Sequence, residues 1–193
     1  MSEVREYTIQ RITASIARPF VAVWHYSKTL PGCKYYFGLY HNDSLIGVAG
    51  YGVPAMRHQA KCYDCDIELR RLCLIDDTPK NAESRFISLT LKYLKKEGVK
   101  AVLSLADPEH SHQGTIYKAS NFEYLGEEKG GGSRLIYIDG IEVHSRTCWA
   151  IYGTSGIQSL KKLLGQDRVD GRNKKRKHVY RYVLNKHLTT AST

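Results

Sequence analysis

The stretch that most narrows what this chain can fold into is 101–122, AVLSLADPEHSHQGTIYKASNF: a short apolar run, a turn rich in proline, histidine and glycine, then a helix. Ala101 to Ala106 has the length and apolar continuity of a buried strand, and Asp107-Pro108 ends it because proline cannot extend a ladder. Asp107 is therefore expected at the carboxyl end of a strand, the edge where open α/β sheets bind ligands. Gly114 to Asn121 fits a short helix that carries Ile116, Tyr117 and Phe122 back toward the sheet. Asp107, His110 and His112 put a carboxylate and two imidazoles within six residues, a set able to bind a cation or move a proton. The plainer reading is a polar turn in which Asp107 caps a helix.

The flanking segments supply a sheet for that strand to join. Glu6 to Ile12 has strand character, and Ala17 to Trp24 reads as a helix that tolerates Pro19 only in its first turn. His25 and Tyr26 follow at its end, beside the Leu30-Pro31-Gly32 turn. Lys34 to Tyr40 and Ser44 to Val53 form an expected antiparallel hairpin about His41-Asn42-Asp43. Asp66 to Ile75 is a further strand, with a bulge expected near Arg70-Arg71. Asn81 to Glu97 is the clearest helix: Asn81 is placed to cap it, and Phe86, Leu89, Tyr93 and Leu94 recur at helical spacing. Ser84 and Arg85 in its first turn combine backbone amides, the positive end of the helix dipole and a cation, which makes a phosphate site. Glu123 to Gly126 and Ser133 to Asp139 suggest a final hairpin around Gly130-Gly131-Gly132, Ser155 to Leu164 a short helix, and His178 to Leu184 an edge strand.

Charge is concentrated late in the chain. The net charge is +10, and 167–187 holds eight Lys/Arg against two Asp, more than half of the excess. Such a cluster is an electrostatic footprint for a polyanion, with nucleic acid the commonest candidate. Lys174, Lys175, Arg176, Lys177 and Arg181, interleaved with Tyr180 and Tyr182, suit phosphate contacts and base stacking. The five cysteines are odd in number and scattered, which fits reduced thiols. Cys62 and Cys65 with His58 give at most three ligands, short of a structural zinc site. No window approaches a membrane span and the amino terminus carries no secretion signal, so a cytoplasmic location is expected.

The order hairpin, strand, phosphate-friendly helix, buried strand, short helix resembles the GNAT acetyltransferase fold. It implies an α+β class: a mixed central sheet flanked by helices, binding acyl-coenzyme A. The usual glycine-rich phosphate loop of that superfamily is replaced by Asp77-Thr78-Pro79-Lys80-Asn81-Ala82-Glu83-Ser84-Arg85. A closer resemblance is carried by His25-Tyr26-Ser27 with Leu30-Pro31, Glu68-Leu69 with Arg71-Leu72, Pro79-Lys80-Asn81 followed by Glu83-Ser84-Arg85, and Ala106-Asp107-Pro108 leading to Gly114. Ile116-Tyr117 with Ala119-Ser120-Asn121-Phe122, Tyr152-Gly153-Thr154-Ser155 and Arg181-Tyr182-Val183 continue it in the same order. From about residue 20 to residue 184 the chain resembles the phage Mom family.

That resemblance implies an acetyl-CoA- and iron-using enzyme that converts adenine in phage DNA to a methylcarbamoyl derivative, shielding it from host restriction. It implies iron at His25, Tyr26 and Asp107, and a coenzyme region with Arg71, Ser84 and Tyr117; Arg70 stands as the alternative to Arg71 and Arg85 joins from the helix reading. The expected catalytic set is Asp107, Tyr117 and Tyr26. Joining the acyl group through its methyl carbon requires activation of that carbon, which gives a metal a reason to be present. Whether His110, His112, Cys62 or Cys65 joins the metal stays open. The exocyclic amine of adenine lies within the duplex, so base flipping or action on single strands is expected. One domain over 1–193 is expected, with 142–193 as a basic extension packed on or beside it and the oligomeric state open, a homodimer included. Two alternatives remain: a metal-free GNAT N-acetyltransferase with Asp107 and Tyr117 as base and acid, and a non-catalytic nucleic-acid-binding module.

Overall fold

The computed structural model describes residues 7–129 and 134–185. Glu6, Ser133 and the Gly130-Gly131-Gly132 turn lie outside the described residues. The chain divides into two compact units: the first takes in 1–106, 112–126 and 178–193, the second 107–111 and 127–177. The basic stretch 142–193 is shared between them.

The first unit is built on a seven-stranded sheet. Its strands are β1 (Thr8–Arg11), β2 (Tyr35–His41), β3 (Ser44–Gly52), β4 (Ile67–Leu74), β5 (Ala101–Ala106), β6 (Glu123–Glu127) and β10 (His178–Val183), in spatial order β1-β2-β3-β4-β5-β10-β6. β4 and β5 run parallel, whereas β1–β2, β2–β3, β3–β4 and β5–β10 are antiparallel. Among the described residues four α-helices accompany it: α1 (Ala14–Trp24), α2 (Arg57–Cys62), α3 (Ala82–Lys96) and the short α4 (Thr115–Ala119). In α3, Ala82, Phe86, Ile87, Thr90, Leu91 and Leu94 are buried, the i, i+4 stripe that a helix on a sheet requires. Phe86 alone contributes about 1.5–3 kcal/mol of burial. The one polar member, Thr90, bonds the buried Tyr51 hydroxyl at 2.6 Å, so neither hydroxyl is stranded in the core.

Two features of this sheet position the site. The β3–β4 register jumps from Gly50↔Arg71 to Tyr51↔Leu69, so Arg70 is the extra residue of a bulge, as its sequence neighbourhood suggested. The β4–β5 pairing stops at Leu69↔Ser104, although β4 continues to Leu74 and β5 to Ala106. Two parallel strands that part company in this way open a notch in the middle of the sheet.

The second unit carries a three-stranded sheet, β7 (Arg134–Ile138), β8 (Ile141–Glu142) and β9 (Val169–Asn173), in order β8-β7-β9, with helices α5 (Ser145–Tyr152) and α6 (Ile157–Leu164). Ile136, Ile138, Cys148, Leu160 and Val169 form its core.

Several expectations require correction. The final hairpin does not exist: β6 joins the large sheet beside β10, while β7 pairs with β8 and β9 in the small one. The last strand, β10, is not an edge but lies between β5 and β6. Its Val179 and Tyr180 are buried, and an interior position is what that burial demands. Pro19 falls mid-helix, since α1 begins three residues earlier than expected. Asn81 precedes α3 with φ +74° and makes no side-chain cap. The α2 and α5 helices have no counterpart in the sequence reading.

Candidate active site

The first unit gathers its polar groups where β4 and β5 separate. Tyr117, in α4, is buried, and burial pushes its hydroxyl well above the ordinary tyrosine range, with Tyr26, Glu68 and Tyr180 adding to the shift. The neighbouring Ser104 hydroxyl opposes the shift in part, without reaching hydrogen-bond geometry: Ser104 Oγ is buried and finds no partner among the described residues. Tyr117 is thus a protonated donor at neutral pH. Glu68, at 6 % exposure, is a carboxylate set into an otherwise apolar part of β4 and accepts from the Ala55 N–H at 2.8 Å. Sequence reading quoted Glu68 without assigning it a role; the signal was a carboxylate in an interior strand.

The arginine pair beside them supports a loop. Arg71 donates from Nε to the Thr29 carbonyl at 2.8 Å and from Nη2 to the Thr29 hydroxyl at 3.3 Å, and Arg70 donates to the Gly32 carbonyl at 3.2 Å. Burial draws the Arg71 pKa down, and the Tyr26 hydroxyl opposes that shift, which sets Tyr26 within electrostatic range of the guanidinium. Tyr36 completes the support: its hydroxyl donates to the Pro31 carbonyl at 2.9 Å and accepts from the Cys33 N–H at 2.8 Å.

That loop carries His25 and Tyr26. His25 is buried, and its Nδ1 accepts from the Ser27 N–H at 3.1 Å, with the Ser27 hydroxyl at 2.9 Å. An Nδ1 that accepts from a backbone N–H leaves the neutral ring proton on Nε2. Tyr26 is 50 % exposed, with its ring centroid 4.3 Å from that of His25 and 5.4 Å from that of His112.

A cavity of about 680 Å³ opens along α3 in the same unit, lined by Asn81, Ser84, Arg85, Lys92, Lys95 and Tyr182 among others. The Ser84 hydroxyl donates to the Asn81 carbonyl at 3.0 Å. Three cations, Arg85, Lys92 and Lys95, and four hydroxyls, those of Ser84, Ser88, Ser120 and Tyr182, give this cavity the character of a phosphate site.

The remaining expected residues belong elsewhere. Asp107 falls in the second unit, where Oδ1 caps the one-turn 3₁₀ helix Pro108–His110 through the Glu109 N–H at 3.0 Å and Oδ2 faces Lys177 Nζ at 3.8 Å. Glu109 takes both Arg172 Nη groups, at 2.9 and 2.7 Å, and the Lys175 N–H at 2.7 Å. Lys174 stands 3.9 Å from Glu142; Lys175 and Arg176 are exposed. Arg181, on β10, donates to Glu123 at 2.9 Å and to the Tyr63 carbonyl at 3.3 Å within the first unit.

The expected iron ligands divide between the units, His25 and Tyr26 in the first and Asp107 in the second. Among the described residues there is no group of three or more His, Cys, Asp or Glu able to hold a metal ion. His25 would have to give up its Nε2 proton or its bond from Ser27 to offer a lone pair. Burial pushes the Cys65 thiol up to about 12, so it is a neutral thiol at neutral pH. No described helix is long and apolar enough to cross a membrane.

Comparison with known proteins places this geometry. The chain superposes on a spermidine/spermine N-acetyltransferase from Vibrio cholerae with a TM-score of 0.56, at 8% identity over 97% of this chain and 98% of that one. The ribosomal-protein-S18-alanine N-acetyltransferase of Escherichia coli gives 0.54, at 10% identity over 97% and 99%. An N-acetyltransferase from Staphylococcus aureus gives 0.52, at 13% identity over 92% and 97%. The fold is therefore that of the GNAT acetyltransferases. In sequence, the chain is 31% identical over 156 residues to the methylcarbamoylase mom of Escherichia phage Mu, a match spanning 76% of this chain and 64% of the relative's length. The profile of the Mom protein family matches residues 6–193, and this chain belongs to that family.

Proposed function

We propose that this protein is an acyl-CoA-dependent enzyme of phage DNA modification that converts adenine to its methylcarbamoyl derivative and so protects phage DNA from host restriction. The observation that carries the reading is the notch where β4 leaves β5 after Leu69↔Ser104, with protonated Tyr117 beside it, in a chain of the Mom family. The phage Mu relative is named a methylcarbamoylase, which supports the reaction class.

In this reading the cavity along α3 takes the phosphates of acetyl-CoA through Ser84, Arg85 and Lys92. Tyr117 stays protonated and donates a hydrogen bond to a developing anion, a state that its burial favours. Arg70 and Arg71 act by holding the Thr29 to Gly32 loop, and with it Tyr26, in place. Exposed Lys175 and Arg176 supply phosphate contacts to DNA, joined by Lys174 and Lys177 when phosphates displace Glu142 and Asp107. Iron at His25, Tyr26 and Asp107 belongs to the proposal on the family resemblance alone, and no step above depends on it.

Mass spectrometry of nucleosides from DNA of cells expressing the chain tests the whole reading. Modified adenine is expected, with loss of the modification in Tyr117→Phe; unmodified adenine from folded protein overturns it. Arg85→Ala should weaken acetyl-CoA in calorimetry. Replacing Lys175 and Arg176 by Ala should lower the slope of log Kobs against log salt by about 2. A second reading, a metal-free GNAT N-acetyltransferase acting on a protein, small amine or modified base, is favoured by one observation: the Ser27 N–H that occupies His25 Nδ1. Bound iron in purified protein and inhibition by chelator would remove that reading.

A further inference from the structure

We propose that helices α5 and α6 of the second unit form a surface that docks on duplex DNA, with the outward face of α6 reading base edges in the major groove. The inference rests on the DNA-modifying reading and goes beyond it by naming residues that set sequence context. Charge is the first observation. From residue 143 to residue 166 the chain holds no Asp or Glu, while Arg146, Lys161 and Lys162 add three positive charges; Glu142 and Asp167 are the first carboxylates outside the stretch. A polyanion is attracted to such a stretch. A second copy of the chain would set these cations against their own counterparts, with no carboxylate in the stretch to receive them.

The second observation is how burial divides α6. Ile157, Leu160 and Leu164 recur at i, i+3 and i+7 and pack in the core of the second unit. At about 100° per residue the opposite side carries Gln158, Ser159 and Lys162, all exposed, with exposed Leu163 at its border. Glutamine pairs with the N6 and N7 edge of adenine, lysine with guanine, serine with several edges, and an apolar side chain touches the thymine methyl. That face therefore has the chemistry of a base reader, and a helix ~10–12 Å across fits the ~12 Å major groove. Residues 153–156 join α5 to α6, a connection of helix-turn-helix length, and Gly153 ends α5 in the left-handed conformation at φ +68°. On α5, Cys148 is buried in the same core, whereas Arg146 and Trp149, three residues apart on one side, are exposed, Trp149 at 62 %. They stand where the leading helix of such a pair meets the DNA backbone.

The experiment selects bound molecules from a pool of random-sequence duplexes with the full chain, and follows Trp149 emission in Trp24→Phe, where it is the only tryptophan. The selected pool should favour particular bases, and Trp149 emission should change when duplex is added. Gln158→Ala should lower affinity for the favoured duplex roughly 5- to 150-fold, the span for one bidentate base contact, and flatten the preference at one position. Arg146→Ala and Lys161→Ala should weaken all duplexes alike, each lowering the slope of log Kobs against log salt by about 1. Selection with the unaltered chain does not depend on any variant folding. A pool without sequence preference, Trp149 emission indifferent to saturating duplex, or a preference unchanged in Gln158→Ala each overturn the proposal. Emission that shifts with protein concentration in the absence of DNA assigns the face to a second copy and overturns it as well. Sequence-selective binding through Gln158 without modified adenine in nucleoside analysis leaves this surface standing and removes the catalytic reading; modified adenine made by Gln158→Ala in an unchanged sequence context does the reverse.

Discussion

The two units use their cations differently. In the first, Arg70 and Arg71 donate to backbone carbonyls of Gly32 and Thr29, and a half-buried guanidinium becomes part of the scaffold for a loop. In the second, Arg172, Lys174 and Lys177 face the carboxylates of Glu109, Glu142 and Asp107 at the surface. A neutral carbonyl partner leaves little charge–charge attraction for salt to screen, whereas a surface carboxylate can be exchanged for a phosphate. The first arrangement fixes geometry; the second holds charge in reserve for a polyanion and is open to screening by salt.

The contrast is most severely tested where packing is densest. Phe86→Ala empties a fully buried position of α3 and should destabilise the first unit by about 3–5 kcal/mol in urea unfolding. Gly114→Ala comes next: with φ +72° and Tyr180 in the way, about 2–3 kcal/mol is expected from overpacking and backbone strain. Arg71→Ala should cost about 1–2 kcal/mol through the lost hold on Thr29, and the loss should be nearly the same in low and high salt. A loss that disappears in 1 M salt would erase the distinction between the two units.

Glu109→Gln should show the smallest effect and the opposite salt behaviour. The Arg172 guanidinium, followed by the Lys175 N–H, holds the Glu109 pKa down at about 2, against 4.5 for an ordinary glutamate. A depressed folded pKa means that the contribution is present above the unfolded value and is lost as pH falls through the folded one. The stability gap between wild type and Glu109→Gln should therefore be full at neutral pH, shrink between about pH 4.5 and pH 2, and close below that. High salt should narrow it at every pH.

Much of the first unit was legible in the chain itself. Apolar continuity over Ala101 to Ala106 marked the interior strand, Asp107-Pro108 its end, and the stripe through Phe86 and Leu94 the main helix. The doubled arginine in DIELRRLCLI marked the bulge. The short helices α2 and α5 were not legible, because six or eight residues give too few turns for a helical period to stand out. His25, Tyr26, Tyr117, Ser84 and Arg85 were all picked out as chemical groups, but the Arg71–Thr29 bond that supports Tyr26 joins residues 42 positions apart and leaves no local trace.

By itself the sequence determined the kinds of element, the carboxylate at the end of β5 and the family, because hydrophobic period, turn residues and motif order are written along the chain. Only the tertiary structure decided that β10 enters the sheet between β5 and β6, that β7 leaves it, and that two arginines hold a loop. Strand partners and side-chain partners are chosen by burial and geometry across long sequence separations, and a linear pattern cannot rank those choices.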